Sequence, residues 1–150
     1  LAYSYANQGD LYAVNNNESC RLLLNQAWAN FYLQKTENFE LDLKRAWVAI
    51  PENQLLMDEL IMFSLLVKME LDKVKAIVEK NGSALARAVL PLMQSEAYNS
   101  KKWENLVGGY KSSVLMELAY HKAKETKSVT FFQKWQSQLK EIYPEHRYYN

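Results

Sequence analysis

The chain has 150 residues, enough for one ordinary domain with a real core. Its 18 Lys and Arg nearly balance 17 Asp and Glu, so the formal net charge of +1 gives no long-range attraction to nucleic acid or to an anionic membrane. With only 4 Gly and 3 Pro it lacks the turn residues of an all-β sandwich or barrel, and this predicts long helices with short connections. The single cysteine, Cys20, excludes an intrachain disulfide and reads as a small apolar residue on a helix face. The longest apolar stretch, Leu60 to Val67, is interrupted by Ser64 and is too short to span a membrane. A start at Leu1 rather than Met predicts a processed or partial chain.

Residues 1–18 allow either a remnant helix, through Tyr3, Ala6, Ala13 and Val14, or a loose lead-in. Then the helical period takes over. Cys20, Leu23, Leu24, Ala27, Trp28 and Phe31 form one stripe of a helix over about 19–34, with Asn15, Asn16 or Asn17 available to cap it. Phe39, Leu43, Ala46, Trp47 and Ile50 form a second stripe, which Pro51 stops. The third helix, over 55–71, is apolar on nearly every side and belongs in the middle of a bundle or stack.

Asp72 opens a short amphipathic helix through Val74, Ile77 and Val78, and Asn81-Gly82 predicts a left-handed end. Ser83 caps a fifth helix, in which Pro91 predicts a kink or restart. Trp103, Leu106, Val107 and Tyr110 mark a sixth helix, weakened at its end by Gly108-Gly109. Ser112 or Ser113 begins a seventh, with Leu115, Leu118, Ala119 and Lys122 at helical spacing. Phe131, Phe132, Trp135, Leu139 and Ile142 carry an eighth, ended by Pro144. Trp28, Trp47, Trp103 and Trp135 all fall on apolar stripes and are expected in the core. No segment alternates as a strand does, and no linker composition marks a domain boundary.

Short helices with short turns pack as antiparallel hairpins, and hairpins stack to bury their apolar faces. The segment 20–53 resembles one tetratricopeptide repeat. Leu23, Gln26-Ala27 and Asn30 stand where that family's first helix places large, large-small and aromatic residues. Phe39, Leu43, Ala46 and Pro51 stand in its second helix and turn. Ala27 and Ala46 match the small positions that let paired helices approach closely; Gln26, Asn30 and Phe39 depart from the pattern. From Gln54 onward, Met57, Leu60 and Ile77 fit, Ile61 replaces a small residue, and Gly82 ends the unit short of the usual length of about 34 residues. The expected fold is all-α: helix pairs 19–53, 54–82, 83–111 and 112–144 in a single domain, stacked as a short right-handed α-solenoid.

Chemistry-bearing patterns are sparse. Glu117, His121 and Glu125 share one helix face at a spacing that can present metal ligands, but His146 lies in the tail and a solvated polar face explains them as well. Glu37, Glu40 and Asp42, and Glu52, Asp58 and Glu59, sit near expected helix starts, where the helix dipole favours negative charge. Lys73, Lys75 and Lys80, and Lys122, Lys124 and Lys127, alternate with acids as a mixed-charge surface rather than a phosphate-tracking stripe. No nucleophile elbow, phosphate loop or dinucleotide turn is present, so neither catalysis nor a cofactor is expected.

The resemblance implies a non-enzymatic module that binds a protein or peptide in a concave groove lined by the first helix of each repeat. Arg21, Asn25, Trp28 and Tyr32 would line it from the first unit, and Leu55, Glu59 and Met62 from the second. Arg21 and Asn25 are similar to the basic-residue and Asn pair with which some family members hold a peptide carboxylate; Leu55 and Glu59 do not repeat that chemistry. Tyr148 and Tyr149 could serve as further aromatic anchors. Two readings compete: a helical accessory domain of a larger enzyme, and a self-assembling bundle or homodimer joined through the helix over 55–71.

Overall fold

The computed structural model describes residues 16–144. Among them are eight α-helices and no strand: α1 Asn16–Tyr32, α2 Thr36–Ala49, α3 Gln54–Val67, α4 Leu71–Asn81, α5 Ala84–Gln94, α6 Ser100–Tyr110, α7 Ser113–Glu125 and α8 Val129–Ile142. The all-α class follows directly from the period of the apolar residues. The lead-in through Asn15, together with His146, Tyr148 and Tyr149, lies outside the described residues. Contacts cluster into two compact units, residues 1–74 and 75–150, and the division falls inside α4.

Few glycines are needed because other residues take the left-handed positions. Gln34, Lys68 and Lys127 have φ near 60°. In each case the next amide reaches back five residues: Lys35 N–H to the Asn30 carbonyl, Met69 to Ser64, and Ser128 to Ala123. This closes α1, α3 and α7 with the hydrogen bond of a Schellman end, at the cost of an unfavourable conformation for a residue with a Cβ. α2 stops differently. Ile50 has φ 41° and donates its N–H to Ala46, and Pro51 behind it bars a further helical turn.

Several local expectations are corrected. Asn17 does not cap α1; it lies inside the helix, and its Oδ1 accepts from the backbone N–H groups of Glu52 (2.7 Å) and Asn53 (2.9 Å), tying the start of α1 to the α2–α3 turn. Gly82 does not adopt positive φ. Its glycine is required by space: a Cβ there would lie 2.5 Å from the Val78 carbonyl oxygen. α5 runs through Pro91 without a restart. α6 ends at Tyr110, the last residue of its expected stripe. Caps at Asn53, Ser83, Asn99 and Ser112 all accept backbone N–H groups from the first turns of α3, α5, α6 and α7.

In the first unit, α1 packs along α2 and both contact α3. Ala27 and Ala46 are fully buried, and Leu23, Leu24, Phe39, Leu43 and Leu60 join them in the core of this unit. In the second unit, α7 packs against α6 and α8. Trp103, Leu115, Leu118 and Leu139 are fully buried in it, and Tyr120 and Trp135 are nearly so. The Trp135 indole N–H donates to the Tyr98 hydroxyl at 2.6 Å, joining α8 to the α5–α6 turn.

Packing against two neighbours explains why α7 is not the polar surface its sequence suggests. Glu117 is fully buried and Lys122 is 3% exposed. Lys122 belongs to no basic patch: its ammonium donates to the Met93 carbonyl at 2.9 Å, fixing α7 to α5.

Candidate functional site

The expected groove residues lie on α1 and α3, which are neighbours within the first unit. Three interactions hold their base rigid. Asp42 on α2 is 2% exposed and accepts from Gln26 Nε2 at 2.7 Å and Asn30 Nδ2 at 2.8 Å on α1. Gln26 and Asn30 therefore depart from the apolar pattern for a reason: together they satisfy a buried carboxylate. Asp42 is in turn corrected from a helix-start acid to a buried, mid-helix acceptor. Desolvation raises its carboxyl above the ordinary range, outweighing the lowering by Asn30, by the Arg45 charge and by Gln26.

Next, the Trp47 indole N–H donates to Ser64 Oγ at 2.8 Å, linking α2 to α3, and the Ser64 hydroxyl in turn donates to the Leu60 carbonyl at 2.7 Å. Finally, an aromatic cluster spans all three helices. Trp28 lies 5.3 Å from Phe63, Phe31 5.6 Å from Phe39, and Phe39 5.8 Å from Phe63, all within the range of favourable ring contacts.

Above this base the predicted residues divide. Arg21 and Asn25 on α1 and Glu59 on α3 are exposed, and Leu55 is 77% exposed. Trp28 and Tyr32 are half-buried and meet edge to face at 4.5 Å. Trp28 is thus partly core and partly surface, and not the fully buried residue its apolar stripe implies. Met62 is 5% exposed and belongs to the core, so it offers nothing to a ligand.

The electrostatics of this surface are mixed, with a cation at Arg21 and an acid at Glu59. Desolvation by neighbouring groups raises the Glu59 carboxyl. The Cys20 thiol beneath is pushed up to about 12, first by burial and then by the negative charge of Glu59. A thiol held protonated in this way is a poor nucleophile.

The other candidate constellation behaves as a packed pair. His121 Nε2 lies 3.5 Å from the buried Glu117 Oε2, and Glu125 is exposed. Glu117 is corrected from a solvated face to the interior of α7. Among the described residues no three His, Cys, Asp or Glu side chains come together as a metal site. Compared with known proteins, the chain matches no family model, and no curated protein or solved structure is significantly similar to it.

Proposed function

We propose that this protein is a non-enzymatic, tetratricopeptide-like interaction module that binds a peptide or partner helix across the α1–α3 surface of its first unit. The observation that carries the reading is the pairing of a rigid base with an exposed, chemically mixed rim. Asp42, Ser64 and the aromatic cluster fix three helices, and above them stand Arg21, Asn25, Leu55 and Glu59 beside the half-buried rings of Trp28 and Tyr32. Rings that expose part of their area while their rotamers are held from below supply contact area at low entropic cost. Self-assembly through α3 draws less support. Nine α3 residues are already buried, and Leu55 is its one apolar residue left exposed.

The test is affinity capture with the chain as bait, followed by cross-linking to locate the contact, using an Arg21→Glu/Leu55→Glu double variant. Both side chains are exposed, so helicity is expected to be unchanged. A partner that cross-links to α1 or α3 and is lost in the variant supports the reading. A partner that the variant retains overturns it. Trp28→Ala is less suitable on its own, because Trp28 also packs on Phe63.

A further inference from the structure

The second unit carries a surface feature that no motif announced. Between α5 and α6 lies a groove of about 330 Å³. Its lining is mostly apolar, with Pro91, Leu92 and Leu106 as its floor, and Arg87, Lys102 and Asn105 stand beside them. Arg87 and Lys102 are both exposed, and neither side chain has an ion-pair partner among the described residues. In a chain with almost balanced charge, two unneutralised cations flanking one apolar groove are a local excess of a single sign. Pro91 adds a backbone feature. It has no N–H, so the Arg87 carbonyl one turn earlier loses its intrahelical donor and can accept a hydrogen bond from outside the helix.

We propose that this groove docks an acidic segment of a partner protein, seating an aliphatic side chain on Pro91, Leu92 and Leu106 and a neighbouring carboxylate against Arg87 and Lys102. The charge selects an anion. The apolar floor selects against bare phosphate, which has nothing to place there. The open form selects a chain over a free small molecule, because ligand pockets typically cover most of a small ligand, whereas a peptide needs only a side chain or two seated. An N–H of the docked segment can in addition meet the Arg87 carbonyl. This surface is independent of the one proposed on α1 and α3, since it lies wholly within residues 75–150.

The test titrates the full chain, isotopically labelled for NMR, with a short capped peptide of alternating Glu and Leu. Amide shifts are expected to concentrate at residues 87–92 and 102–106. Affinity is expected to fall by about tenfold or more in an Arg87→Glu/Lys102→Glu variant of unchanged helicity, and to weaken with added salt. The α1–α3 variant Arg21→Glu/Leu55→Glu is expected to bind this peptide as the parent does, which separates failure here from failure there. Equal binding of a Lys-Leu peptide, shifts elsewhere on the chain, or no shifts would each overturn the proposal. Saturation of the same amides by hexanoate or inorganic phosphate at matching concentration would overturn the assignment to a peptide.

Discussion

Asp42 offers the sharpest check on how the first unit is held together. It is 2% exposed and takes two hydrogen bonds, from Gln26 and Asn30. Removing the acceptor by Asp42→Ala leaves two buried amide donors unpaired, each costing roughly 1–3 kcal/mol. Relief from burying a carboxylate offsets part of that, so the net loss is expected to be about 2–4 kcal/mol. Asp42→Asn is different. A neutral amide of the same shape can accept from one partner and donate to the other if Gln26 turns its own amide, and the loss at neutral pH is expected to be under about 1 kcal/mol.

The pH dependence follows from the raised carboxyl. The folded state holds its proton to higher pH than the unfolded chain does, so the stability this group contributes is full below the unfolded value, about 3.9, and is lost as pH rises through the folded value. The stability of the Asp42→Asn variant relative to the parent is therefore expected to improve from about pH 4 to pH 7. Urea unfolding followed by circular dichroism across that range measures it. An asparagine variant as unstable as the alanine one at neutral pH, or a difference that moves the other way, would refute the claim that desolvation dominates at this site.

Other consequences can be tested in the same assay. Gly108 lies inside α6 with nothing within 4 Å of a Cβ placed there, so Gly108→Ala is expected to stabilise by about 0.5–1 kcal/mol. Gly82→Ala is expected to destabilise by roughly 1–3 kcal/mol, because its Cβ would press on the Val78 backbone. Cys20, with its thiol pushed up to about 12, is expected to resist alkylation at neutral pH at a rate set by unfolding; fast labelling in the folded state would contradict the burial. Lys122→Met keeps the apolar stem but leaves the Met93 carbonyl without this donor, and a loss of about 1–3 kcal/mol is expected from denaturant midpoints.

Among the described residues the sequence by itself determined the number and type of the helices, because apolar residues at a spacing of three and four have to share one helix face, and Ser or Asn ahead of them binds the free N–H groups. Ala27 and Ala46, on the apolar stripes of α1 and α2, are fully buried. Of the seven residues expected to line a groove, Arg21, Asn25, Leu55 and Glu59 are exposed. What periodicity could not assign was the destination of a polar residue. Asp42, Glu117 and Lys122 look like ordinary solvated charges in one dimension, yet each lies on a helix face covered by another helix, where desolvation makes a partner necessary. Met62 shows the same limit for apolar residues: a helix apolar all round gives no sign of which side stays open. The α5–α6 groove arises from residues ten or more positions apart that only helix packing brings side by side. Local spacing decides which helices form, whereas burial is a property of pairs of helices, and only the tertiary structure supplies the pairs.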